Sequence, residues 1–207
     1  MFLRKTLQKR PNQVTAGDID FSLPAQEAAH LEKTYAQAAR ILEYGSGGST
    51  LVAARLGKQV VAIESDALWA KNMNAILASE GQSEHARVVH EDIGATREWG
   101  NPQDSSGYKD FHRYPMGIWD DPDLAAPDVV LIDGRFRVAC MCAIIMRCQQ
   151  PTLVLFDDYG DRLKYHSVER LVQPKEMIGR MAVFEIKPGI DTRAHLTWMI
   201  GSFVDYG

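Results

Sequence analysis

Cysteine is scarce in this chain of 207 residues. There are three, all between residues 140 and 148, and no C-x-x-C pair. An odd number in one short segment excludes a disulfide framework, and the missing C-x-x-C speaks against a zinc site. Cys140, Cys142 and Cys148 therefore read as small buried apolar residues. Long apolar runs are missing too. The longest, VACMCAIIM, falls far short of the roughly 18 residues that span a bilayer. No apolar stretch follows the basic start MFLRKTLQKR, so it does not read as a secretory signal. Neither charge sign is in large excess, the formal net charge being −4. There is no basic stripe interleaved with aromatics and no nucleic-acid-binding module. The expectation is a cytoplasmic protein with no membrane or nucleic-acid partner. Repeats and low-complexity segments are absent, so one domain over 1–207 is expected, with 1–20 as a solvated arm.

What is present is alternation. Short β-rich runs fall at 39–44, 58–64, 86–92, 127–134 and 151–158. Helical patterns lie between them, at 49–57, 66–81 and 137–148, with a further helix early in the chain after Pro24. MAVFEI and LTWMIGSFV, joined by the turn-rich KPGIDTRAH, read as a closing hairpin. Such alternation predicts an open, mostly parallel α/β sheet with an antiparallel last strand. Ligands of such sheets sit beyond the carboxyl ends of the strands. Here those ends carry Glu43 to Gly45, Glu64, Asp92, Asp133 and the pair Asp157 and Asp158. The stretch 96–127 stands outside the alternation. It is long, rich in Gly, Pro, Asp and aromatics, and reads as a lid or substrate-binding insertion.

The glycine-rich stretch LEYGSGGST raises the question of its ligand. No Gly-Lys-Ser/Thr occurs, which excludes a P-loop. A G-x-S-x-G elbow fails at Leu51. Gly45 and Gly47 match the dinucleotide fingerprint, but Thr50 stands where its third glycine belongs. A pyrophosphate at this helix start would also meet Glu43. S-adenosylmethionine carries a sulfonium and an ammonium and no phosphate, so it would gain from that carboxylate. Glu64, nineteen positions after Gly45, suits ribose hydroxyls of either cofactor.

Taken together, LEYGSGGST, VVAIES, VVHED, PDVVLIDG and PTLVLFDDY, in this order, resemble the class I S-adenosylmethionine-dependent methyltransferases. The resemblance covers roughly residues 20 to 207. It implies a Rossmann-like three-layer sandwich around a seven-stranded sheet. It also implies that Gly45, Ser46 and Gly47 contact the methionyl part of the cofactor and that Glu64 holds the ribose. Asp92 with Ile93 would border the adenine. Ser49 and Thr50 would be further contacts, helix capping being their other reading.

Methyl transfer needs alignment, exclusion of water and removal of a proton. Asp133 is the first candidate for that work, with Asp158 and His166 as further catalytic candidates. Arg135, Arg137 and Arg162, with Lys164 near them and Trp119 from the insertion, would bind a small, anionic acceptor. IDG followed by DDY is similar to catechol-type O-methyltransferases, where an Asp and an Asp–Asn pair hold a divalent cation. Asp133, Asp157 and Asp158 would suit Mg²⁺. Arg135 and Arg137 stand ready to neutralise Asp133 instead, and no metal is assigned. Two rival readings remain: a non-catalytic S-adenosylmethionine-binding regulator, and an NAD-binding oxidoreductase, against which Glu43 and Thr50 argue. The oligomeric state stays open, a homodimer included.

Overall fold

The computed structural model describes residues 15–19 and 22–206. Apart from 15–19, the arm expected at 1–20 lies outside them. The first long helix, α1 (Ala25–Gln37), leads into strand β1 (Arg40–Tyr44), helix α2 (Gly48–Arg55), strand β2 (Gln59–Glu64), helix α3 (Ala67–Ser79) and strand β3 (Ala86–His90). A small ribbon of β4 (Thr96–Arg97) and β5 (Asn101–Pro102) and a short helix α4 (Arg113–Met116) follow. Then come β6 (Val129–Ile132), α5 (Arg137–Arg147), β7 (Thr152–Phe156), β8 (Glu176–Ile178), β9 (Met181–Ile186) and α6 (Leu196–Ser202).

Seven strands form one sheet in the order β3-β2-β1-β6-β7-β9-β8. The first five are parallel. Strand β9 runs antiparallel between β7 and β8. All four residues of β6, VVLI, are buried, as a strand covered on both faces requires. On one face α1, α2 and α3 bring Leu31, Tyr35, Leu51 and Met73 against Ile41, Val60 and Leu131. On the other, α5 and the 111–118 stretch bring Ile144, Phe111 and Tyr114 against Leu42, Ile63 and Ile132. Cys140, Cys142 and Cys148 are free and buried, as expected. Among the described residues no helix is long and apolar enough to cross a membrane.

Two expectations are corrected. LTWMIGSFV is not a strand: Leu196–Ser202 is helical, with Met199 and Ser202 buried. A short apolar run of this length satisfies either period, and packing against α5 decides it. The closing hairpin instead joins β8 to β9 through Gly179, whose φ of 57° is left-handed. The 96–127 insertion is also more than a lid. Phe111, Tyr114 and Ile118 are core residues, so part of it does the covering that a crossover helix does between parallel strands.

Candidate functional site

The chain leaves β1 toward β2 on one side and β6 toward β7 on the other, which makes the ends of β1 and β6 the switch point of the sheet. There Gly45 (φ 100°) and Gly134 meet backbone to backbone. A Cβ on Gly45 would lie 3.0 Å from the Gly134 nitrogen, and one on Gly134 would collide with the Tyr114 hydroxyl. Gly47 caps α2, its N–H donating to Thr50 Oγ1 at 3.1 Å. A Cβ on Gly47 would meet nothing within 4 Å, so the loop opens to free space at that point.

Glu43 lies beneath this loop, not at its rim. It is fully buried. Strand alternation turns its side chain toward the α1 and α2 face, where Tyr35 donates to Oε1 at 2.7 Å and Thr50 to Oε2 at 2.5 Å. Burial pushes its pKa up to about 7, with the hydroxyls of Thr50, Tyr35 and Ser49 pulling it down. The expected role of Glu43 as an open counter-charge for a cationic cofactor is therefore corrected: it anchors the loop from below. Ser49 and Thr50 both reach this carboxylate, and Thr50 Oγ1 also accepts from Gly47 N–H, the capping role read for it. The role of Tyr35 carried no local sequence signal, because it depends on how α1 docks.

Glu64 ends β2 and is nearly buried. Its Oε1 accepts from the N–H groups of Ser65 (2.8 Å) and Asp66 (3.1 Å), and its Oε2 from Ser46 Oγ (3.2 Å). Trp69 Nε1 donates to the Ser46 carbonyl at 2.9 Å. The tip of the β4–β5 ribbon rests on this corner. Ser65 Oγ donates to the Gly100 carbonyl at 2.8 Å, and a Cβ on Gly100 (φ 62°) would lie 2.3 Å from that Oγ. Trp99 holds φ 65°, ψ 26°, a left-handed conformation that costs a bulky residue about 1–2 kcal/mol. Ile93 is buried, whereas Asp92 is exposed and accepts from Gly94 N–H at 2.9 Å within its own turn.

The carboxylates of Asp133, Asp157 and Asp158 come within 4.8 Å of one another. Three guanidiniums meet them. Arg137, buried at the start of α5, donates to Asp133 Oδ1 (3.0 Å) and to the carbonyls of Asp133 (2.8 Å), Gly134 (3.0 Å) and Asp157 (2.6 Å). Its Nη2 also lies 3.2 Å from Asp158. Arg180 binds both oxygens of Asp157, at 3.2 and 3.0 Å, and pairs with Asp158 at 3.2 Å. Arg162 pairs with Asp158 at 3.0 Å. Three acids thus face three cations. Asp133 keeps the most exposure, 36% of its side chain. Burial pushes its pKa up to about 6; Arg137 opposes the rise, and Asp157 and Asp158 add to it.

Beside the switch point lies a cavity of about 730 Å³, floored by Gly134 to Val138 and walled by the ribbon, residues 162–167 and the α6 end. A methyltransferase-like protein from Silicibacter pomeroyi DSS-3 shares 40% identity with this chain, covering 90% of it and 98% of its own length, with a TM-score of 0.86. The chain belongs to the methyltransferase-like proteins. Its strand order and switch point are those of the class I methyltransferase fold. Two more distant structures share that fold. One is the O-methyltransferase TomG from Streptomyces achromogenes, in complex with SAM (18% identity, 83% of each chain, TM-score 0.50). The other is an O-methyltransferase from Bacillus cereus in complex with SAH (13% identity, 83% of this chain and 86% of that one, TM-score 0.53). No family model matches the chain, and no curated protein does.

Within this methyltransferase-like chain the predicted residues divide. Gly45, Ser46, Gly47, Glu64 and Asp133 gather at the strand ends. Arg135 and Arg162 line the cavity. Four other assignments are corrected. Arg137 also borders the cavity, but its charge is taken up by the acids and carbonyls it binds, so it is no free acceptor ligand. Trp119 donates to the Tyr44 hydroxyl at 2.7 Å and lines a different recess, near Arg147 and Thr152. His166 stacks on Tyr159, with centroids 4.6 Å apart, and its Nε2 lies 3.1 Å from the Tyr159 carbonyl. That geometry is structural and does not suit a base at the strand ends. Asp158 is held by three arginines and is poorly placed to take a proton. Arg180, which completes the cluster, was missed because it sits in the unrecognised β8–β9 turn.

Proposed function

We propose that this chain transfers a methyl group from S-adenosylmethionine to a small, anionic acceptor. The observation that carries this reading is the gathering of the glycine loop, Glu64 and Asp133 at one switch point. The TomG and Bacillus cereus structures, with SAM and SAH in their complexes, support the choice of cofactor. The donor set fits it. The free space at Gly47 leaves room for a ligand over the loop.

Gly45, Ser46 and Gly47 would hold the methionyl part, Glu64 the ribose, and Asp92 with Ile93 the adenine. When bound, the cofactor supplies a methyl group on a cationic sulfur, which keeps the carbon–sulfur electron pair as an acceptor lone pair takes the carbon. Asp133, with a pKa near 6, takes the acceptor's proton; a base of that strength is ionised at neutral pH. The ribbon tip at Glu98 to Gly100 covers Glu64, so it lifts to admit a ribose and then excludes water when it returns. The strained Trp99 sits at that tip, where such a movement would release it. The setting we infer is cytoplasmic, in keeping with the three unpaired thiols.

Calorimetric titration tests the reading. S-adenosylmethionine and S-adenosylhomocysteine are expected to bind and NAD to give no heat. Glu64→Ala should weaken S-adenosylmethionine by roughly 1–3 kcal/mol. Tight NAD binding without a response to S-adenosylmethionine would overturn the proposal. Binding without methyl transfer to any acidic acceptor would leave only the regulatory reading, for which the covered Glu64 is the supporting observation.

A further inference from the structure

We propose that the cavity beside the switch point receives an aromatic carboxylic acid bearing a ring hydroxyl. That this acid is the methyl acceptor rests on the methyl-transfer reading above. At about 730 Å³ the cavity has the size that encloses a single small molecule. Its floor begins at Gly134, the residue that follows Asp133 in the chain.

The wall chemistry names the occupant. Arg97, Arg135, Arg162 and Lys164 line the cavity against two acids, Glu98 and Asp205. Arg162 shares its charge with Asp158 (3.0 Å), and Lys164 lies over the Tyr165 ring at 5.3 Å. Arg135 is different. Its Nη1 donates to the neutral side-chain amide oxygen of Asn101, at 2.8 Å. Its Nε is buried without a hydrogen-bond partner, and among the described residues no carboxylate pairs with it. A half-buried guanidinium without a carboxylate partner is costly, and a carboxylate in the cavity supplies the missing counter-charge. A neutral or cationic occupant would not.

The rest of the wall suits a ring. Trp198, with the Arg170 guanidinium over it at 5.3 Å, and Tyr206, edge-on to Phe111 at 5.3 Å, are fixed aromatic surfaces. Aromatic faces that share a cavity with a guanidinium match a planar aromatic anion better than an aliphatic one. With the carboxylate engaged at Arg135, the atom left to be methylated is the ring hydroxyl oxygen. Its proton passes to Asp133, its lone pair forms the new carbon–oxygen bond, and the carbon–sulfur electrons stay on sulfur.

The test is calorimetric, on the full chain, with para-hydroxybenzoate and with para-hydroxybenzamide, which keeps the ring and lacks the charge. The acid is expected to bind at least about tenfold tighter than the amide. Arg135→Gln should abolish that preference, and Arg135→Lys, which keeps the charge but not the fork, should retain part of it. Thermal melts of both variants establish that they fold. Equal affinity for acid and amide, or a preference that survives Arg135→Gln, overturns the inference. S-adenosylmethionine is titrated separately, so the two readings fail separately. A bound cofactor with no acid preference sinks the cavity assignment alone. A clear acid preference with no cofactor binding upholds the site and removes its role as acceptor site.

Discussion

Glu43 and the Asp133, Asp157, Asp158 cluster both stand at strand ends of the same sheet, yet they are held by opposite means. Glu43 is surrounded by hydroxyls, from Tyr35, Ser49 and Thr50. The aspartates are surrounded by guanidiniums, from Arg137, Arg162 and Arg180. Burial lifts Glu43 to about 7. Asp133 rises by a similar amount, from 3.8 to about 6, with Arg137 opposing the rise and Asp157 and Asp158 adding to it. Hydroxyls satisfy the lone pairs of a buried acid without supplying charge, so the proton is retained near neutrality. Guanidiniums supply charge that offsets burial and the neighbouring acids. The glycine loop therefore rests on an acid held by neutral donors, while the strand ends next to it are tied by an ion network.

The strongest way to break this contrast is Arg137→Met. It leaves carboxylates and carbonyls without their shared donor and should cost about 3–5 kcal/mol, read from urea denaturation. A small loss would mean that Arg180 and Arg162 hold the cluster alone. Next is Glu43→Gln, which sharpens the contrast through pH. The folded-state pKa of Glu43 lies above its ordinary 4.5, so the folded chain binds this proton more tightly than the unfolded one. Its contribution is full below about 4.5 and falls as pH rises through about 7. Asp133, raised from 3.8 to about 6, acts with the same sign over its own window. The Gln variant should flatten the decline of wild-type stability between about pH 4.5 and 7 and be more stable at about pH 8 by about 1–3 kcal/mol. An unchanged slope in a urea series across those pH values would show that Glu43 is not the titrating group. Arg162→Gln should do least, about 0–1 kcal/mol, since the guanidinium is 44% exposed and its pair is screened. A loss matching that of Arg137→Met would mean that burial does not rank these cations.

Much of the frame was legible along the chain. The five parallel strands, the glycine loop and the helices after it announce themselves through period, composition and turn residues. The row of strand-end carboxylates was legible too, including the triad that does come together. Ser49 and Thr50 could be read as caps or as ligand contacts, and Thr50 takes the first role at Gly47 N–H. Other features left no local trace. Tyr35 reaches Glu43 because α1 packs across β1. Arg180 reaches Asp157 because β9 folds back between β7 and β8. Gly100 covers Glu64 because a ribbon of two-residue strands carries it there. LTWMIGSFV was misread because its apolar content suits either period, and only the surface of α5 chooses between them.

The sequence by itself determined the strand–helix alternation, the mostly parallel sheet it implies and which acids end its strands, because those follow from periodicities and turn chemistry within a few residues. Only the tertiary structure decided what each acid does. The protonation and reach of a carboxylate depend on what is packed around it, and the hydroxyls around Glu43, the arginines around Asp133 and the ribbon over Glu64 come from elements far apart along the chain.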